Sequence, residues 1–71
     1  DDLKRIKGVG PVMERTMNEL GIYHFRQVAR LDAAGIEWVS ANIETFPDRI
    51  RRDRWVEQAH ELHTEKYGSA P

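Results

Sequence analysis

The run Gly8-Val9-Gly10-Pro11 constrains this chain more than any other feature of it. Glycines on either side of one apolar residue break regular structure, because they admit backbone conformations that a Cβ forbids. The proline that follows has no amide to donate, which costs nothing at the first position of a helix. A helix is therefore expected to begin at Pro11, after a first turn that Lys7-Gly8-Val9-Gly10 breaks. Asp2 is placed to cap such a turn, with Leu3 and Ile6 on one side at a spacing of three. Downstream, Met13, Met17 and Leu20 fall at i, i+4 and i+7, a single apolar stripe. Gly21 ends that helix as a left-handed cap, and Ile22 can fold back on the stripe as in a Schellman motif.

A third helical stretch runs from about His24 to Leu31, with Phe25, Val28 and Ala29 on one face. Asp32 reads as the cap of a fourth, and Leu31 and Ile36 sit where a hydrophobic staple pairs them. Ile36, Val39 and Ile43 continue the buried face. Phe46-Pro47-Asp48 reads as a break. The last helix is expected to start at Arg52 or Asp53 and to end before Gly68, burying Trp55, Val56, Ala59 and Leu62. No stretch alternates polar and apolar residues over a strand's length. The expectation is an all-α fold of five short helices over residues 1–67, with 68–71 as a flexible tail. A chain of 71 residues has a small core, and without cysteine it has neither a disulfide staple nor a thiolate metal site, so helix packing must hold it. It opens on Asp1 without a methionine and so reads as a piece of a longer protein.

Composition excludes several functions. Eleven Lys and Arg against twelve Asp and Glu give a net charge of −1, unlike a strongly basic nucleic-acid domain. No apolar run approaches the ~20 residues of a membrane helix. Ser40 and Ser69 have no flanking base, and no carboxylate pair stands isolated among apolar residues, so the fragment reads as non-catalytic with no cofactor. Glu57, His60, Glu61 and His63 invite a metal reading, but His24 is the only other histidine and no partner helix offers matching ligands; coincidence on a charged face is the better account. Trp38 lies just off the Ile36–Val39–Ile43 stripe, and an exposed Trp38 would mark an interface.

The segment from Leu3 through Gly8-Val9-Gly10-Pro11 to Leu20-Gly21-Ile22 resembles a helix-hairpin-helix motif. The order of elements resembles the tandem, SAM-like form of that fold, in which two hairpin units pack about a pseudo-twofold axis. The second hairpin would lie around Thr45 to Arg51 and, having no Gly-x-Gly, would be degenerate. The stretch Arg52-Asp53-Arg54-Trp55-Val56-Glu57-Gln58-Ala59 resembles a helix found in C-terminal extensions of the bacterial 24-kDa-type subunit of NADH:quinone oxidoreductase and of some large-subunit ribosomal proteins. The resemblance implies binding of a nucleic-acid phosphate, without regard to sequence, at Lys7, Gly8, Val9, Gly10 and the first amides of the next helix, helped by Arg15. Val9 would point inward as a pin. Two departures weaken that implication: Val12 stands where many phosphate-binding versions carry Lys, and Glu14 where a small Ala is common. Together these changes cost roughly 1–2 kcal/mol at low salt.

Arg49, Arg51, Arg52 and Arg54 form the one dense basic cluster, interleaved with Asp48, Asp53 and Glu57. It reads as a second phosphate contact, as a solvated helix start with local ion pairs, or as a docking surface for an acidic partner. Two functions follow for an accessory module of a bacterial, cytoplasmic protein, monomeric by itself: weak binding to a nucleic-acid backbone, or docking to a protein in an assembly such as a respiratory NADH dehydrogenase.

Overall fold

Asp2 caps a single 3-10 turn, Leu3–Arg5, its carboxylate accepting the Lys4 amide at 3.1 Å, in a computed structural model that describes residues 1–45 and 47–71. Five α-helices follow: α1 (Pro11–Glu19), α2 (Phe25–Ala29), α3 (Ala33–Asn42), α4 (Pro47–Arg52) and α5 (Trp55–Tyr67). Among the described residues there is no strand. Each helix end has a local cause. At the end of α1, Gly21 takes φ +88°, the Ile22 amide returns to the Met17 carbonyl at 2.9 Å and the Gly21 amide to Asn18 at 3.0 Å, which is the Schellman pattern. Gln27 then brackets the connection to α2: its carbonyl accepts the Tyr23 and His24 amides, and its NH2 donates to the Gly21 carbonyl. Asp32 caps α3 through the Gly35 amide at 2.7 Å.

The apolar stripes converge on one core whose largest fully buried side chains include Trp55, Phe25, Leu3, Ile6 and Met17. α5 lies along α2, the most extensive helix contact in the molecule. Ser40 is buried too, and its hydroxyl is satisfied by the Ile36 carbonyl at 2.6 Å.

The second half of the chain turns at a different place from the one the sequence suggests. Phe46, the first residue of the expected break, lies outside the described residues; Pro47 and Asp48 instead belong to helix α4, which Pro47 opens at a position where its missing amide is harmless, and the hairpin expected around Thr45 to Arg51 gives way to that helix. Ile50, 1% exposed, anchors α4 in the core. The turn comes instead at Asp53-Arg54, where Arg54 takes a left-handed φ of +55°, and α5 accordingly starts at Trp55 rather than Arg52 or Asp53. The opening turn, Lys7–Gly10 and α1 make one helix-hairpin-helix unit, and α4, Asp53-Arg54 and α5 make the other. α2 and α3 join them.

Asp1 closes the structure. Its side chain is 1% exposed; one oxygen accepts the Phe25 amide at 2.9 Å, and the other accepts Lys66 Nζ at 2.6 Å and the Tyr67 hydroxyl at 2.5 Å. A carboxylate so far from water is tolerable only when its lone pairs are this fully engaged. It ties the first turn of α2 to the last turn of α5.

His24, beside this node, has its pKa held below the usual 6.5 by partial burial and then by the positive charges of the amino terminus, Arg26 and Lys66. The nearest Asp1 oxygen, 3.6 Å from Nδ1, already accepts the Phe25 amide, and the direction of the shift stays downward. A depressed histidine binds its proton more readily in the unfolded chain, so its contribution to stability is complete above pH 6.5 and is lost as the pH falls through the folded value. Melting temperatures taken from about pH 8 to about pH 5 should therefore fall on the acid side, and His24→Gln should flatten that limb relative to the parent chain.

Candidate nucleic-acid interface

The first hairpin is held from behind by one side chain. The Lys7 amide donates to Gln58 Oε1 at 2.8 Å, and Gln58 Nε2 donates to the carbonyls of Lys7 at 3.2 Å and Asp53 at 2.7 Å. A glutamine on α5 thus joins the two hairpins. Gly8, with φ +106°, lies against the second hairpin so closely that a Cβ there would stand 2.7 Å from Trp55 Nε1 and 3.1 Å from Asp53 Oδ2. Val9 is 6% exposed and points inward, so it pins the turn and offers a ligand only backbone.

The front of the hairpin is open. Gly10 is the N-cap of α1 and supplies no side-chain cap; nothing lies within 4 Å of where its Cβ would be. The Val12 and Met13 amides find no acceptor within the described chain, as is normal for a first helical turn, and they sit at the positive end of the helix dipole. An anion at such a place meets both N–H donors and a favourable field. Lys7, just before α1, and Arg15, within it, are exposed, and among the described residues neither has a carboxylate within 4 Å. Glu14 is less of an obstacle than its place in the first turn suggests. It is half-buried and paired with Lys4 at 3.2 Å, and Lys4 also reaches Asp2 at 3.0 Å. These two carboxylates raise the Lys4 pKa, and Lys4 in turn lowers that of Asp2.

The arginines of α4 and of the turn after it are placed differently. Arg49 and Arg52 flank Asp53 at 3.9 and 3.7 Å, while Arg51 turns to Asp48 at 3.5 Å and Arg54 to Glu57 at 3.7 Å. Asp53 thereby brings Arg49 and Arg52 up to Gly8, whereas Arg51 points to the start of its own helix. Exposed pairs of this length contribute at most about 1 kcal/mol each, so they can yield to a stronger anion. A groove beside the hairpin, lined by Lys7, Asp53, Arg54, Glu57, Gln58 and Glu61, carries three carboxylates against two cations and is a poor seat for phosphate.

The roles of Gln58 and Asp53 are not among those the sequence suggests, although both stand in the Arg-Asp-x-Trp-Val-x-Gln-Ala stretch. His60 and Glu61 are exposed on α5, and the His63 ring packs on Tyr67 with Nδ1 3.0 Å from the Ser69 carbonyl oxygen. Among the described residues no group of three or more histidines and carboxylates is arranged to hold a metal, and no helix is long and apolar enough to cross a membrane. Trp38, on α3, is 52% exposed.

The profile of the RS2/RL21/YNQ2 HHH domain, a helix-hairpin-helix family, matches residues 3–63. The large ribosomal subunit protein bL21 of Jannaschia sp. (strain CCS1) is 46% identical over 59 residues, which is 83% of this chain and 22% of that protein. The small ribosomal subunit protein uS2 of Xanthobacter autotrophicus is 45% identical over 65 residues, 92% of this chain and 19% of that protein. The bL21 of Hyphomonas neptunium is 42% identical over 65 residues, 92% of this chain and 31% of that protein. The chain thus spans about a fifth of the length of the first two relatives. No solved structure matches it. The relatives include small-subunit as well as large-subunit proteins, a wider set than the resemblance implied, while the likeness to respiratory-subunit extensions rests on the sequence motif alone. The chain belongs to the RS2/RL21/YNQ2 helix-hairpin-helix family.

The two hairpin glycines have different jobs, and stability separates them. Gly8→Ala must place a Cβ against Trp55 at a left-handed φ; strain and overpacking together should cost about 2–4 kcal/mol. Gly10→Ala meets open space at φ −97° and should cost no more than about 1 kcal/mol. Denaturant unfolding of the two variants checks the order.

Proposed function

We propose that this member of the family is a non-catalytic, cytoplasmic module, monomeric by itself, that binds the phosphate backbone of RNA without reading its sequence. The observation that carries the reading is the pair of exposed cations, Lys7 and Arg15, without carboxylate partners among the described residues and beside the uncapped first turn of α1. Backbone amides there contact a phosphate as donors, and such contacts position a nucleic acid without specifying a base. RNA is the polymer because the relatives are proteins of both ribosomal subunits. Arg49 and Arg52 supply a secondary contact, reached across Asp53, and Arg51 contributes least of the three because it turns away. The near-neutral charge makes the affinity modest and local rather than a product of long-range attraction.

A second reading, docking to a protein within an assembly, is favoured by Trp38, a half-exposed indole on α3. Single large aromatics of this kind are frequent anchors of protein interfaces. A respiratory NADH dehydrogenase is one such assembly, suggested by the α5 motif.

The two readings separate in a salt series. Binding of a short RNA duplex should weaken with salt, the slope of log K against log salt falling by about one in Lys7→Gln and in Arg15→Gln and by much less in Arg51→Gln. Binding indifferent to salt, or absent at low salt, moves the assignment to protein docking.

A further inference from the structure

Trp55 is wholly buried, and its indole Nε1 is the only buried side-chain polar atom among the described residues without a hydrogen-bond partner. An unpaired donor in a core is costly, and native structures rarely leave one without a reason. A carboxylate stands close to it. Trp55 Nε1 and Asp53 Oδ2 lie 2.7 and 3.1 Å from one and the same point, the place a Cβ would occupy on Gly8. Only a glycine leaves that notch open beside them.

The carboxylate is not firmly committed to the partners it has. Arg49 Nε is 3.9 Å from Oδ2 and Arg52 Nε is 3.7 Å from Oδ1, both beyond hydrogen-bond length. The Asp53 side chain is about one-third exposed, set between two solvent-facing arginines and the buried indole. Contact with the arginines is shared, exposed and weak. A hydrogen bond from the indole would be charge-assisted and shielded from water, and it would satisfy the orphaned donor.

We propose that Asp53 is a two-position carboxylate. It rests against Arg49 and Arg52 while they are unoccupied, and it turns inward onto the Trp55 indole N–H, across the notch at Gly8, when an anion takes the arginines. The hairpin thus exchanges one set of partners for another instead of leaving a bare carboxylate beside the bound phosphate. The inference rests on the phosphate reading only for the ligand that works the switch; removing the arginines should work it as well.

The test is the Trp55 indole N–H resonance in proton–nitrogen spectra of the domain, told apart from Trp38 by Trp38→Phe. Arg49→Gln/Arg52→Gln changes exposed residues only, and without any nucleic acid it should move the indole proton downfield and slow its exchange with solvent. A short RNA duplex at low salt should move the parent chain's resonance in the same direction, and Asp53→Ala should cancel both effects. An indole proton that stays in place in the double variant overturns the switch, as does a shift that survives Asp53→Ala. A shift in the double variant with no response to RNA upholds the two positions of Asp53 and overturns the phosphate contact at Arg49 and Arg52.

Discussion

The grip of Gln58 on both backbone groups of Lys7 is the interaction on which the rest of the structure depends. A hairpin built of glycines has few side chains with which to hold itself, and its polar backbone must be satisfied from elsewhere. A glutamine can do this with one residue, because its amide presents an acceptor and a donor in the same plane. The same NH2 also reaches the Asp53 carbonyl, so the two turns are fixed relative to each other and not merely to the core. Trp55 then fills the space beneath Gly8, and Val9 anchors the turn from inside. Everything that fixes the hairpin lies behind it, which is why its front can be bare.

That bareness gives a nearly neutral domain a local electrostatic character. Charge over the surface is extensively paired: Lys4 with Asp2 and Glu14, Arg5 with Glu65, Arg51 with Asp48, Arg54 with Glu57. The positive end of α1 and the two cations beside it stand outside this pairing, as do Arg26 and Arg30 among the described residues. Net charge is therefore a poor guide here, because what a partner meets is the local arrangement and its screening over roughly 10 Å.

Much of the first half of the fold is legible in the sequence because each break there has a residue that announces it. Asp2 and Asp32 cap where caps are expected, Pro11 starts α1, and Gly21 with Ile22 ends it. The second half hides its breaks. Left-handed conformations that glycine would have advertised are taken by Glu44 after α3 and Arg54 after α4. α4 is equally silent, since Ile50 is the one apolar side chain in a run of Asp48, Arg49, Arg51 and Arg52, and one residue has no period. At the site, spacing identifies the hairpin but not the division of labour within it: Gly8 is required by Trp55, in the far half of the chain, whereas Gly10 faces open space. The Asp1 node is illegible for the same reason, since its partners Lys66 and Tyr67 lie at the far end of the chain.

These long contacts also govern how the domain comes apart. No helix exceeds the 13 residues of α5, and α2 has five, so none is stable in water by itself. The ties that orient them join residues 51 and 65 positions apart, Lys7 to Gln58 and Asp1 to Lys66, and so close nearly the whole chain into one loop. The entropy of that closure must be met before the packing it permits can repay it. Half a domain therefore has neither the local helix strength nor the distant partner to persist. Unfolding should be all-or-none, and a domain of this kind is present either whole or not at all.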